Sequence, residues 1–450
     1  MSGQIKTKIV VLDDDPTGSQ TVHSCLLLTR WDVATLTEGL QHASPLFFVL
    51  TNTRGMDAVR AAEITREVCV NLRRALDEMK ANGVVINPVM VSRSDSTLRG
   101  HYPVETDVMN EVMGPFDAHF IVPAFFEGGR FTRDSTHYIV LNGAPTPVHE
   151  TEFARDSVFG YQNSYLPAYV EEKTRGKIKS DDVERFLLSD VRGDVLSRLL
   201  LLKNNQCCVV DSETQQDLNH FSEQLLQAAL QGKKFLFRSA ASLLTALAKL
   251  PSQPKSAEAM KDYVRKGRAG AVIVGSHVKK TTEQLGKLMA QDGVSAVEVN
   301  VERIKSDRKN MLDEIIQSCE SLHKQNMTPV IYTSRLEKQF KNQADRLAFG
   351  ESVSAFLMDV VRKLPSSLGY LISKGGITSN DVLSSGLALR KSEVLGQIMP
   401  GCSVVRCPHD HPRYPDMPVV IFPGNVGDEQ ALATVYHRLT NIHLETEAIG

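Results

Sequence analysis

Short apolar runs that stop abruptly at polar, glycine-bearing loops, and then give way to helical spacing, recur from one end of this 450-residue chain to the other. Lys8–Leu12 ends at Asp13, Leu46–Leu50 ends at Thr51-Asn52-Thr53-Arg54-Gly55, and Val89–Val91 leads into Ser94-Asp95-Ser96-Thr97. Phe120–Val122 leads into Pro123 and a glycine-rich turn, and Cys207–Val210 and Phe235–Phe237 are two further strands around a helical stretch at Leu218–Leu230. Between Ala58 and Asn82 the apolar residues recur at helical spacing, and Gly83 is a natural stop. Strand, polar loop and helix repeated in this order fold as an α/β layer structure with a mainly parallel sheet. Such sheets gather their loops and bind their ligands at the carboxyl ends of the strands.

Pro251–Lys266 (PSQPKSAEAMKDYVRK) is polar, carries two prolines and is the linker candidate. From Ala271 the alternation resumes with AVIVGS, a helix after Thr281, SAVEVNV, TPVIYTS, a helical pattern at Val353–Leu364, YLISKGG and PVVIFPGNVGD. The expected fold class is therefore α/β: two α/β domains with mainly parallel sheets and an active-site cleft between them. The expected limits are residues 1–250, a linker at 251–267, and 268–450.

Apolar residues at 42% and charged residues at 23% support packed cores and exclude wholesale disorder. Lys plus Arg at 51 against Asp plus Glu at 53 removes the electrostatic argument for a nucleic-acid partner. No apolar stretch approaches the ~18 residues of a membrane span, and MSGQIKTKIVVL has no signal-peptide pattern, so a cytoplasmic protein without a membrane partner is expected. Seven scattered cysteines, an odd number, fit a reducing compartment and not a disulfide framework.

Six loops could carry chemistry. Asp13-Asp14-Asp15-Pro16-Thr17-Gly18 follows a buried strand directly; carboxylates there can orient a hydroxyl, act as a base or hold a metal ion, although an Asp-Pro-Thr-Gly turn with solvated acids is the bland alternative. Ser94-Asp95-Ser96-Thr97-Leu98-Arg99-Gly100-His101 offers hydroxyls, an acid and a guanidinium in one turn, or else caps a helix at Val104–Met113. In Pro123–Arg130 two glycines beside Arg130 allow close approach to an anion, or form an ordinary β-turn. Lys374-Gly375-Gly376-Ile377-Thr378-Ser379-Asn380 lies between a strand and a helix-like run from Asp381, where backbone N–H groups can face phosphate; it lacks Walker A spacing. Pro423-Gly424-Asn425-Val426-Gly427-Asp428 repeats the idea, and Val274-Gly275-Ser276-His277 adds a hydroxyl, so three loops after three strands favour a nucleotide pocket. Cys402, Cys407, His409 and His411 fall within ten residues, but their spacing departs from paired zinc-ligand patterns and no metal site is assigned to them.

This set of motifs resembles the four-carbon acid sugar kinase family. The Asp-Asp-x-Thr-Gly loop is Asp14–Gly18, the Asp-Ser-Thr-Leu-Arg-Gly stretch is Asp95–Gly100, and the Pro-Ala-Phe…Gly-Arg segment is Pro123–Arg130. Gly275-Ser276, the Gly-Gly-x-Thr loop Gly375–Thr378 and the Gly-Asn-x-Gly loop Gly424–Gly427 follow in order, so the resemblance runs from residue 13 to residue 428. The chain departs from the family pattern at Ser92-Arg93-Ser94, at His101 and in Asp-Pro-Thr-Gly-Ser-Gln-Thr-Val-His, all on the substrate side.

The resemblance implies ATP-dependent phosphorylation of a hydroxyl on a small sugar acid such as a tetronate or 3-oxo-tetronate. Asp14 and Asp15 would meet the acceptor hydroxyls, one of them as base, with Asp428 the rival. Arg99 or Arg130 would hold the substrate carboxylate, with Arg54 a third candidate, and Thr17, Gly18, Asp95, Ser96 and Thr97 would line the acceptor site. Ser276, Gly375, Gly376, Ile377, Thr378, Gly424, Asn425 and Gly427 would cradle ATP, with Mg²⁺ arriving on the nucleotide. The partners are then a sugar acid and ATP, and a homo-oligomer is left open. Two other readings start from the same residues. Asp13-x-Asp15-x-Thr17 also fits the nucleophile loop of haloacid-dehalogenase-like phosphatases, with Asp13 accepting a phosphoryl group, and a non-catalytic nucleotide or sugar-acid sensor could use the same fold.

Overall fold

Each apolar run read as a strand forms one. The computed structural model describes residues 6–276, 278–335, 343–424 and 426–440, and the chain divides into two units, Met1–Pro251 and Ser252–Gly450.

The strands of the first unit are β1 (Lys6–Asp13), β2 (Cys25–Leu28), β3 (Leu46–Leu50), β4 (Ile86–Arg93), β5 (Ala118–Val122), β6 (Arg130–Arg133), β7 (Thr136–Leu141), β8 (Ala144–Pro147), β9 (Glu184–Phe186), β10 (Gln206–Val210) and β11 (Phe235–Ser239). Eight of them make a parallel sheet in the order β2-β3-β1-β4-β11-β5-β10-β9. All of Leu46–Leu50 and Ala118–Val122 is buried, as expected of a parallel sheet covered on both faces.

One face carries helix Ala58–Ala81, whose Ile64, Val68 and Leu72 pack with Val10, Phe47 and Met90. Each such side chain, taken wholly from water, contributes about 1.5–3 kcal/mol. Asp57 caps the helix by accepting the Arg60 amide. On the other face Phe120 meets Phe186, Phe221 and Phe237 at ring separations of 5.4–6.0 Å, and Phe221 comes from helix Gln215–Leu230, which opens with a Thr214–Asp217 capping box.

The register decides where the loops begin. Leu50, Asp13, Arg93, Ser239 and Val122 are level neighbours across β3, β1, β4, β11 and β5. The chain leaves β1 toward β3 on one side and β4 on the other, so the loops after these three strands meet at a switch point.

The second unit contains β12 (Ala271–Val274), β13 (Val294–Val299), β14 (Thr328–Thr333), β15 (Leu371–Lys374), β16 (Lys391–Met399), β17 (Cys402–Arg406) and β18 (Pro418–Phe422). Its order is β13-β14-β12-β15-β18-β17-β16, parallel from β13 to β18 and antiparallel thereafter. Val274, Lys374 and Phe422 end level with one another, so the three glycine-bearing loops start from one line. The stretch expected as a linker packs onto this unit: Met260 is fully buried against Val272, Tyr370 and Tyr436.

Two features depart from the sequence reading. The antiparallel sheet β6-β7-β8 and the hairpin β16–β17 are additions to the strand–helix alternation. The helix after β15 starts at Gly376, not at Asp381, and Val382–Gly386 continues it as a π turn. Among the described residues no helix is long and apolar enough to cross a membrane.

Candidate active site

Three loops of the first unit interlock at the switch point. Asp14 is almost wholly buried and accepts two bonds from Arg54, Nη2 to Oδ1 at 2.5 Å and Nε to Oδ2 at 3.1 Å, with Ser94 Oγ donating to Oδ2 at 3.3 Å. Arg54 also reaches Asp15 Oδ2 at 3.4 Å and Asp95 Oδ1 at 4.0 Å. Asp95 accepts from Arg99 Nε at 2.7 Å and from Thr97 Oγ1, and Arg99 lies 3.6 Å from Asp156 and over the ring of Phe153. Each carboxylate therefore faces a guanidinium in a largely buried site, where charge-assisted bonds are stronger than in open water.

The acids differ in what they can do. Asp15 keeps 22% of its side chain exposed against 2% for Asp14, and Thr17 donates to Asp15 Oδ1 from its amide at 2.8 Å and from its hydroxyl. Burial would raise the Asp15 pKa, but Arg54, Arg93 and the Thr17 bonds outweigh it and hold the carboxyl below its ordinary value. The same balance, with Arg54, Arg99 and Thr97 against burial, keeps Asp95 low. Asp13 is the exception: burial pushes its carboxyl up to about 7 against the pull of Arg93, 3.4 Å away, and its Oδ2 has no hydrogen-bond partner. A methyl group on Gly18 would overlap the Asp13 carboxylate, so only glycine lets the loop close over it. A phosphoryl acceptor needs an open oxygen, and the Asp13 carboxylate is fully buried.

Loop 96–98 is fixed from behind: His137 Nε2 bonds the Ser96 carbonyl at 2.8 Å, and Tyr161 and Tyr169 donate to the carbonyls of Thr97 and Leu98 at 2.7 and 2.8 Å. Arg130, at the start of β6, stacks on Phe125 and donates to its own loop at Gly128 O, 2.6 Å away. It feels Asp95 and Arg99, its Nε is buried without a partner, and burial lowers its pKa. Among the described residues it is the arginine of this cluster with no ion-paired acid.

In the second unit the glycine loops adjoin. A methyl on Gly275 would overlap Thr378 Oγ1, and Gly375, at φ +113°, lies close to Ser276. Thr281 Oγ1 is within 3.4 Å of both Ser276 Oγ and the Gly424 carbonyl. Gly376, Ile377 and Thr378 form a first helical turn, whose amides lack intrahelical acceptors. Ile377 projects outward at 74% exposure and so contributes backbone alone. Gly427 adjoins Ala431, and Asp428 sits on an exposed turn, accepting the Gln430 amide at 3.0 Å. Asn425 lies outside the described residues.

The comparisons follow this division of labour. Residues 9–247 match a sugar-binding N-terminal domain model, and residues 271–432 match a nucleotide-binding C-terminal domain model. The chain belongs to the four-carbon acid sugar kinase family. It is similar to a D-erythronate kinase of Heliobacterium modesticaldum (strain ATCC 51547 / Ice1), with 23% identity covering 98% of this chain and 99% of that protein. Among solved structures, a Salmonella typhimurium LT2 protein provisionally described as a tRNA synthase matches with TM-score 0.67 at 18% identity, covering 95% of this chain and 98% of that one. The Haemophilus influenzae protein HI1011 matches with TM-score 0.63 at 17% identity, covering 96% and 100%. At these identities the two structures establish a shared fold.

For this member of the acid sugar kinase family, the sequence reading gave no role to four charged groups, two of which, Arg93 and Lys374, stood in quoted motifs. Arg93 ends β4 against Asp13 and Asp14. Glu105, its pKa raised by burial and by Asp14, accepts from Thr53 Oγ1 at 2.6 Å, and Arg238 lies 3.7 Å from it. Lys374 ends β15 fully buried. Three of the four end or nearly end a buried strand, which is the signal that could have found them. Cys402 and Cys407 are buried thiols, Cys407 pushed up to about 12 by burial. His411 Nε2 bonds the Leu387 carbonyl, His409 bonds Asp416, and among the described residues no metal-ligating cluster forms.

Proposed function

We propose that this protein is an ATP-dependent kinase that phosphorylates a hydroxyl of a four-carbon acid sugar in carbohydrate catabolism. The observation that carries the reading is the accessible Asp15, held ionised beside Arg54, Asp95 and Arg99 in the unit that matches a sugar-binding model. The glycine-loop unit that matches a nucleotide-binding model supports the donor half, and the full-length likeness to a D-erythronate kinase supports the four-carbon acid.

Asp15 orients the acceptor hydroxyl and receives its proton. A carboxylate held below its ordinary pKa is a weak base, but phosphoryl transfer through a loose transition state asks more for alignment than for basicity. Asp14 is engaged by Arg54 on both oxygens and acts by positioning that guanidinium. Arg130 takes the substrate carboxylate, which gives its buried guanidinium the anion it lacks. Ser276, Gly375–Thr378, Gly424 and Gly427 hold the nucleotide through backbone groups and hydroxyls. ATP supplies the γ-phosphoryl group, and Mg²⁺ arriving on its phosphates offsets their charge.

The test is ADP release with Mg²⁺-ATP across a panel of four- and five-carbon sugar acids, beside a generic phosphatase substrate. We expect release with one acid, reduced roughly 100- to 10,000-fold in Asp15→Asn and lost in Gly376→Glu. Phosphate release without ATP that disappears in Asp13→Asn would replace the kinase by a phosphatase. ATP binding with no turnover on any acid would favour a sensor.

A further inference from the structure

Lys374 is a buried amine with no acid partner among the described residues. Its side chain closes β15 at the head of the Gly375–Thr378 loop, and its Nζ donates to the carbonyls of Pro423 at 2.6 Å and Gly424 at 3.2 Å. The ammonium also stands 4.1 Å from the ring centroid of Phe422. One side chain thus touches the backbone of one glycine loop from the root of the other. An ammonium has three N–H donors, so one remains for a further acceptor.

Among the described residues no acid neutralises it. The ionisable groups that reach it are the Cys402 thiol of β17 and the Lys280 ammonium of helix Lys279–Met289, the second of which adds positive charge. The acids of adjacent turns are engaged elsewhere: Asp428 with the Gln430 amide, Glu429 with Lys287 at 3.3 Å, and Asp381 with Ser354 and Asn380. Among the described residues Lys374 makes no ion pair. Lys8 provides the contrast: also buried and bound to two carbonyls, it lies near the start of β1, at the opposite end of its sheet from the loops.

We propose that Lys374 is the counter-charge for the nucleotide's phosphates, a positioning residue that ties the 375–378 loop to Pro423 and Gly424 and gains its anionic partner when a di- or triphosphate binds. This rests on the nucleotide-site reading above. Its consequence is thermodynamic. Burial lowers the Lys374 pKa to about 7, so the empty site carries only part of that charge near neutrality. A phosphate placed beside it favours the charged form and raises the pKa, so binding takes up a proton and weakens as pH rises.

The experiment is calorimetric titration of the full-length protein with Mg²⁺-ADP at about pH 8, above the ionisation of the phosphates, in two buffers of different ionisation enthalpy. We expect uptake of most of one proton per ADP, and affinity about tenfold weaker at about pH 9 than at about pH 7. Lys374→Arg, whose guanidinium stays charged, should bind ADP without uptake. ADP binding by the unaltered protein with no proton uptake and no pH dependence would overturn the proposal while leaving the nucleotide site intact. Uptake that persists in Lys374→Arg would assign the proton to another group and overturn it equally. Failure of the unaltered protein to bind ADP at all would remove the nucleotide-site reading itself.

Discussion

The two units solve opposite electrostatic problems at the same structural position, the carboxyl ends of parallel strands. In the first, Asp14, Asp15 and Asp95 are matched against Arg54 and Arg99 through side-chain bonds of fixed direction. In the second, the loops present glycine backbone, hydroxyls and one lysine with no acid beside it. A small ligand with several hydroxyls is told from its isomers only by side chains that cannot move, and mutual pairing immobilises them. A polyphosphate carries its own charge and asks for close backbone approach, which glycine permits. Among the described residues of this cluster, Arg130 has no ion-paired acid and Asp13, beside Arg93, has its carboxyl pushed up by burial, and both offer ways to test the pairing.

Asp13 should give the largest effect. Its folded pKa of about 7 lies above the ordinary carboxyl value, so the fold keeps a proton that the unfolded chain gives up. Stability from this group is present at low pH and is lost as pH rises from the carboxyl range to about 7, by about 2–4 kcal/mol. Asp15 and Asp95 have the reverse sign: their pKa values are lowered, and their contribution is present above the carboxyl range and lost as pH falls through it. Urea unfolding across this window should show a downward trend toward pH 7 that Asp13→Asn flattens. An unchanged slope in the variant would mean that Asp13 is ionised in the fold and paired with Arg93, like the other acids of the cluster.

Arg130→Gln comes next. Removing one guanidinium that bonds a carboxylate costs about 1.5–3 kcal/mol, so KM for the acid sugar should rise roughly 10- to 100-fold with little change in KM for ATP. An equal loss in kcat with KM unmoved would place the carboxylate on Arg99 instead and leave Arg130 as a support for the β6–β8 sheet.

Much of this arrangement was legible before any coordinates. The strand ends, the loops that follow them and the helix at 58–81 follow from local apolar spacing, and that pattern needs no knowledge of strand order. What was not legible depends on strand order. Asp13 meets Arg93 because β4 pairs with β1, and Arg238 reaches Glu105 because β11, which comes far later in the chain, inserts between β4 and β5. Lys374 stood in a motif already singled out, yet its burial depends on β18 lying beside β15. The β7–β8 hairpin did carry a local signal: Asn142-Gly143 between extended runs, with φ of +50° and +80°, is the dipeptide such turns prefer.

The smallest effect separates ligand approach from folding. A methyl group added at Gly275 would overlap Thr378 Oγ1, so Gly275→Ala disturbs the protein itself, by about 1–3 kcal/mol. At Gly424 the same methyl meets no heavy atom within 4 Å. Gly424→Ala should therefore leave the unliganded Tm essentially where it was, a change within about 0.5 kcal/mol. If phosphate oxygens approach this backbone as closely as the neighbouring loops suggest, the added methyl occupies their space, and the Tm increase on adding Mg²⁺-ADP should shrink. A variant with both the unliganded Tm and the ADP-induced shift unaltered would move the phosphates away from the 423–427 loop and onto Gly375–Thr378 alone. That would leave the glycine at 424 as a turn residue, and would reduce the contrast between the two units to a single loop.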